Sequence, residues 1–203
     1  ADMRILNFGS LNLDKTYRVP HILRPGETLA STGYAVYWGG KGLNQSIALA
    51  RAGAEVIHAG KVGLDGGSLT AALSESGVDV HLVGVEKEIP TGQALIQIDE
   101  AGQNCILLYG GANQAVDSAY IRRVLDGFGS GDWLLLQNEI SGMEEIITLA
   151  HQLSGTCQSA RLAAAEYREF YVVDSGSVTI GAGILAEYAL NCADSGMSAR
   201  EIA

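Results

Sequence analysis

The chain predicts an α/β fold, a mostly parallel sheet flanked by helices, from which two β segments project. Three observations lead there. Short apolar runs alternate with helical patterns from Arg4 to His151, and such alternation implies a parallel sheet covered by helices. Two stretches, Tyr17 to Val36 and Thr91 to Tyr109, break the alternation with β-leaning sequence that has no helical period. Glycine is abundant, 26 of 203 residues, as suits a fold with many tight turns and strand–helix junctions. In such folds ligands bind at the C-terminal ends of the strands.

Arg4 to Gly9, RILNFG, reads as a buried first strand ending in a loop that carries Asn12 and Asp14. Tyr17 to Val36 is polar and interrupted by Pro20 and Pro25, which fits short strands standing off the main sheet. Three glycines, Gly39, Gly40 and Gly42, then open a helical pattern with Leu43, Ile47 and Ala50 on one stripe. Gly53 falls where a left-handed residue ends a helix, and Val56 to Ala59 follows as a strand. Gly66 and Gly67 precede a second helix, Ser68 to Ser76, closed by Gly77, and Val78 to Val85 is strand again. Thr91 to Tyr109 reads as a hairpin, GQALIQI and NCILLY about a turn at Glu100, Ala101 and Gly102. Asp117 suits the N-cap of a helix over YIRRVLDGF. Trp133 to Gln137 is a strand ending at Asn138 and Glu139, and Met143 to His151 is a helix.

With 47% hydrophobic residues the chain has enough apolar surface for a real core. A net charge of −10 and a pI near 4.7 argue against nucleic acid and anionic membranes as partners. Cys105, Cys157 and Cys192 are odd in number and lack metal-ligand spacing, so reduced thiols in a cytoplasmic protein are expected. No window reaches transmembrane length and the N-terminus has no signal-peptide core. Ala1 and Asp2 before Met3 read as a cloning remnant.

Glycines at a helix N-terminus let backbone N–H groups approach a ligand, and the helix dipole favours negative charge or hydroxyl lone pairs there. Lys41 and Asn44 add donors at the same place. Asn44, Ser46, Gly53 and Gly63 fall at the intervals of the first signature of the PfkB sugar kinases, and GGKGLNQ is similar to the ribokinase form. The resemblance runs from about Arg4 to His151. It implies a ribokinase-like core with β lid segments at about 15–37 and 91–109. It also implies ATP-dependent phosphorylation of a ribose-type sugar, with ATP and Mg as cofactors. On this resemblance Asn12, Asp14, Gly39, Gly40, Lys41, Asn44 and Glu139 meet the sugar. Read alone, Asn12 and Asp14 would form an Asx turn at a strand end, and Glu139 would be a solvated strand terminus. Polar groups converging from three strand ends suit a polyol, because an unpaired buried polar group costs ~1–3 kcal/mol and rejects apolar ligands.

Past His151 a different pattern takes over. LSGTCQSARLAAAEY, FYVVDS, GSVTIGAGILAEYAL and SGMSAREIA resemble a segment of the DegV family of fatty-acid-binding proteins. That resemblance implies lipid contacts at Ser154 and Thr156, which read alone as helix N-caps. The PfkB family expects a later Gly-Ala-Gly-Asp turn whose Asp deprotonates the sugar. Gly129-Ser130-Gly131-Asp132 has those letters in part but leads into a strand and reads as a surface turn. Gly181-Ala182-Gly183 leads into a helix, but Ile184 stands at the Asp position and takes no proton.

Two families meeting near Gln152 imply a chimera, natural or engineered, in which residues 152–203 complete the sheet of residues 1–151. The capping box Ser198-Ala199-Arg200-Glu201, with almost nothing behind it, reads as a truncated helix. Phe170 to Val173 is expected as a buried parallel strand, and helix Ile184 to Cys192 as an apolar stripe covered by its own sheet or by a second copy. The expected function is therefore a carbohydrate-kinase scaffold, catalytically incompetent and at most sugar-binding, with homodimerisation through the β lid or by segment exchange. The alternatives are a fatty-acid-binding module and a chimeric fold with no activity. Neither a catalytic nor a metal-ligating residue is expected in the chain.

Overall fold

The computed structural model describes residues 4–129 and 132–153, with side chains as far as Ala150. The expectations for Ser154, Thr156, Phe170–Val173 and Ile184–Cys192 lie outside the described residues. Within them the fold is α/β, a parallel sheet flanked by helices, as predicted. Strand β1 (Ile5–Phe8) is central, with β4 (Val56–Gly63) on one side and β8 (Trp133–Leu136) on the other. β5 (Asp79–Glu86) extends the sheet beyond β4, giving the order β5-β4-β1-β8 with every pairing parallel.

Both faces of this sheet are covered, so its inner strands β1 and β4 are buried at every position rather than at alternate ones. Leu6, Phe8, Ile57 and Leu136 pack against Ile121, Val124 and Leu125 of α3 (Ser118–Leu125) and Ile146 of α4 (Met143–Leu153). Ile5 and Val56 face the other way, toward Leu43 and Leu49 of α1 (Lys41–Arg51) and Leu69 and Leu73 of α2 (Gly67–Glu75). Fully burying one such side chain is worth about 1.5–3 kcal/mol. Ile47 and Ala50, expected on the buried stripe of α1, are only partly buried beside this cluster, and the helix turns Gln45 and Ser46 fully inward.

Local signals act where the residues implied. Gly53 and Gly77 take φ of 93° and 87° just past α1 and α2. The Asp117 carboxylate accepts from the Tyr120 N–H at 2.8 Å, capping α3. Tyr120 runs back under the sheet, where its hydroxyl accepts from the Gly60 N–H at 2.8 Å and shares its one proton between the Gly60 and Leu82 carbonyls, each 2.7 Å away, which ties β4 to β5. Asp132 accepts from the Arg4 guanidinium at 2.6 Å and from the Gly129 N–H at 3.1 Å, so it is tied to the chain's first strand.

A second sheet has the order β3-β2-β6-β7, built from β2 (Asn12–Arg18), β3 (Gly33–Gly39), β6 (Gly92–Ile98) and β7 (Asn104–Tyr109). β2 pairs antiparallel with β3 and parallel with β6, and β6–β7 is the expected hairpin, turning through Gly102 at φ 78°. One expectation is corrected here: Asn12 and Asp14 lie inside β2, not in a loop. β2 is hydrogen-bonded on both sides from its first residue, with Asn12 opposite Gly39 and Gly92, so no backbone group is left for an Asx turn. β4 is likewise longer than expected and continues through Gly60, Lys61 and Val62 to Gly63. No helix among the described residues is long and apolar enough to cross a membrane.

Candidate functional site

The two sheets meet at the C-terminal edge of β1. The chain leaves β1 through Gly9, Ser10 and Leu11, enters β2 at Asn12, and returns along β3 to Gly39 and Gly40, which start α1. Gly40 has φ 96°, a conformation favouring glycine, and a Cβ there would stand 2.7 Å from the Ser10 carbonyl oxygen. A Cβ at Gly42 would collide with the Gly9 and Ser10 backbone, and one at Gly39 with the Asp14 carboxylate. The glycines are thus where backbone meets backbone and where Asp14 lies over the chain.

Helix α1 has no side chain of its own capping its N-terminus. Its first N–H groups are met from elsewhere. The Lys41 N–H donates to Glu139 Oε2 at 3.1 Å, the Gly42 N–H to Ser10 Oγ at 3.3 Å, and the Leu43 N–H to the Ser10 carbonyl at 3.0 Å. Ser10 Oγ also donates to Glu139 Oε2 at 2.6 Å. The negative charge that a helix N-terminus favours is therefore supplied by Glu139, a residue of the protein. Lys41 reaches the same carboxylate, with Nζ 3.9 Å from Oε1.

Asp14 faces this group from β2. Burial, and then the neighbouring charge of Glu139, push its carboxyl up to about 6. Asn12 is held differently: its Oδ1 accepts from Asn113 Nδ2 at 2.7 Å, while Asn113 Oδ1 accepts from the Leu11 N–H at 3.0 Å. Asn113 belongs to the 3₁₀ turn Gly111–Gln114 and is buried. Asn44, in the first turn of α1, is half-buried and its side chain has no hydrogen bond among the described residues.

The seven residues singled out in the sequence therefore lie around one spot, where β2, β3, α1 and the end of β8 converge. Two residues that sequence reasoning passed over hold it together, Ser10 and Asn113. Ser10 had a signal of a kind, standing two residues before Asn12 at the end of a strand; Asn113 had none short of the fold. The arrangement presents two carboxylates, one ammonium group and amide side chains to a half-buried space. That donor and acceptor set suits several hydroxyls of one small molecule, since charged acceptors bind hydroxyl donors more strongly than neutral ones.

Comparison with known proteins agrees with this geometry. The family model described as pfkB family carbohydrate kinase matches residues 3–162, and one described as an uncharacterised protein of the DegV family matches residues 136–203. The chain is 36% identical over 140 residues to a ribokinase of Haemophilus influenzae, covering 67% of this chain and 46% of that protein. It is 34% identical over 160 residues to a ribokinase of Schizosaccharomyces pombe, covering 74% and 50%. Among solved structures, ribokinase from Cryptococcus neoformans in complex with ADP superposes with a TM-score of 0.65 at 38% identity, over 77% of this chain and 48% of that one. The Arabidopsis thaliana ribokinase complexed with ribose and ATP does so at 0.64 and 26%, over 75% and 51%. The chain spans about half the length of the relatives it resembles. A parallel sheet carrying a glycine-led helix, crossed at its edge by a second sheet, together with a family match over residues 3–162, makes this chain a member of the pfkB family of carbohydrate kinases.

Proposed function

We propose that this chain recognises a ribose-type sugar at the junction of its two sheets and does not phosphorylate it. The observation that carries the reading is that the Asp14 carboxylate lies against Gly39 while Glu139 holds the Lys41 N–H at the start of α1, with the Lys41 ammonium alongside. Two carboxylates so placed accept hydroxyl protons, while the lysine and the Asn44 amide donate to hydroxyl oxygens. Relatives named ribokinase, one of them solved with ribose and ATP, support the choice of sugar.

Phosphoryl transfer needs a base to take the proton of the attacking hydroxyl. The Gly-Ala-Gly turn at residues 181–183 is followed by Ile184 rather than a carboxylate, and it lies in the DegV-like match, beyond the kinase match that ends at residue 162. ATP and Mg²⁺ belong to the parent reaction; the residues around α1 supply sugar recognition. We read residues 152–203 as a DegV-like segment joined to the kinase-like core, which the second family match supports. Binding of a fatty acid through Ser154 and Thr156 is the second reading and rests on that match alone. The second sheet acts as the lid over the sugar, and its exposed apolar strands pair two copies of a cytoplasmic protein.

Calorimetric titration with D-ribose tests the reading. Wild type is expected to bind and Asp14→Ala to lose the heat of binding, while a coupled ADP-release assay with both substrates stays silent. Equal heats for the two proteins would remove the sugar site, and heat with a long-chain fatty acid in place of ribose would favour the second reading. Sugar-dependent ADP release that survives repurification would overturn the claim of no turnover.

A further inference from the structure

Directly beneath the glycine turn, the interface of α1 with the sheet is polar where the rest of that interface is apolar. Asn7 on β1, Ser46 on α1 and His58 on β4 are each fully buried, and Asn7 stands opposite His58 in the parallel register. Asn7 Nδ2 donates to the Gly42 carbonyl and to Ser46 Oγ, both at 2.8 Å, and Asn7 Oδ1 accepts from Gln137 Nε2 at 2.6 Å. Ser46 Oγ lies 2.8 Å from His58 Nδ1. Counting donors fixes the direction. Both protons of the Asn7 amide are committed, so Ser46 accepts one of them and gives its own to His58 Nδ1. His58 is then the neutral Nε2–H tautomer, consistent with burial, which holds it down at about 4.

We infer that Asn7, Ser46 and His58 form a positioning relay that fixes the glycine turn of the sugar site from below. The contact that matters is with one peptide group, that between Gly42 and Leu43. Its carbonyl is held by Asn7 and its N–H by the Ser10 carbonyl, while the Gly42 N–H is held by Ser10 Oγ. Ser10 also carries Glu139, so the peptide, the serine and the carboxylate move as one unit. Burying these groups carries a cost that an apolar interface would not: Gln137 Oε1 has no hydrogen-bond partner among the described residues, and beyond Ser46 the His58 ring has only the Gly9 backbone beside it. Polar networks of this kind rigidify what they touch. Here that is the turn on which the Lys41 N–H and side chain are mounted.

The inference rests on the sugar reading for its consequence, and the experiment separates the two. Ser46→Ala/His58→Phe removes the donor and the acceptor of the Ser46–His58 bond together and leaves one Asn7 amide proton without its acceptor, which frees that amide to turn away from the Gly42 carbonyl. In the sugar-free protein, amide exchange at Gly42 and Leu43 is expected to quicken about tenfold relative to the rest of α1, the scale of one net hydrogen bond. The ribose dissociation constant is expected to rise about tenfold, with the melting temperature somewhat lowered by the unpaired Asn7 proton. His58→Gln, which keeps an acceptor for Ser46, should restore both, and Ser46→Ala alone carries the same exchange readout should the double variant not fold. Unchanged exchange at Gly42 and Leu43 would overturn the relay. So would an unchanged ribose dissociation constant in the variant when the wild type binds ribose. If wild type takes up no ribose, the sugar reading falls and the exchange rates alone decide whether the relay holds the turn.

Discussion

Strand β4, VIHAGKVG, contains a histidine and a lysine and is buried along its whole length, whereas β7, NCILLY, is richer in large apolar residues and exposed at every position. The difference lies in what surrounds each strand. β4 has strands on both sides and helices on both faces, so even its polar residues are enclosed and must find partners. Lys61 does so, donating to Glu86 Oε1 at 2.6 Å, to the Ala115 carbonyl at 2.7 Å and to Asp117 Oδ2 at 3.2 Å. β7 is the outer strand of the second sheet and leaves Leu107 and Leu108 about two-thirds exposed. An apolar strand left open in this way fits a surface that something else covers, a bound ligand below or a second copy of the chain beside it. Hydropathy alone would have exchanged the two strands. Burial in this fold is decided by position in the sheet.

The sharpest way to break the comparison is to truncate one large side chain in each region. Phe8, fully buried and edge-on to Tyr120 at 5.6 Å, is expected to cost roughly 3–5 kcal/mol as Phe8→Ala in denaturant unfolding. Leu107→Ala should change the stability of the isolated chain by no more than about 0.5 kcal/mol. If a second copy covers β7, that variant instead weakens self-association in sedimentation equilibrium. Similar losses of unfolding free energy at the two sites would mean that the strands are not environmentally distinct.

A smaller effect comes from the polar residue enclosed in β4. His58 has its folded pKa depressed from 6.5 to about 4 by burial. The unfolded chain therefore binds the proton first, and stability is lost as pH falls from about 6.5 toward 4, by roughly 3 kcal/mol from this group. Asp14 acts in the opposite sense. Its folded pKa is raised to about 6, so the ionised form is disfavoured and stability falls as pH rises between about 4 and 6. Because Asp14 is only partly buried, screening by solvent makes this the lesser of the two. Acid titration of unfolding should show a falling limb below pH 6.5 that disappears in Ser46→Ala/His58→Phe. A limb that persists in the variant would assign it to other groups.

Much of the parallel sheet was legible in the residues because its signals are local. Gly53 and Gly77, each two residues past the end of α1 or α2, a capping Asp117 and the Gly102 turn act within a few positions of themselves. The site was legible as a set of residue types but not as a structure. Asn12 and Asp14 read as loop residues because polar side chains at a strand end look alike whether or not the backbone is paired, and the pairing comes from residues 33–39 and 92–98. The C-terminal half of β4 was missed because GKVG has the composition of a turn. Only Glu86 and the segment around Ala115 to Asp117, far along the chain, make a buried Lys61 tolerable. The inward face of α1 was read from Leu43 and Ile47, yet Gln45 and Ser46 turn inward because Asn7 on β1, His58 on β4 and Gln137 just past β8 wait for them.

On the proposed reading, an ionised Asp14 close to Glu139 at the start of α1 accepts hydrogen bonds from the sugar's hydroxyls. Its pKa of about 6 places that charge within easy experimental reach. The direct measurement is the ribose dissociation constant at pH 7 and at pH 5 under one buffer and salt. If only the ionised form binds, the constant rises about tenfold at the lower pH, following the loss of the charged carboxylate, and Asp14→Asn binds weakly at both. A dissociation constant that does not change between pH 7 and pH 5 would contradict the account.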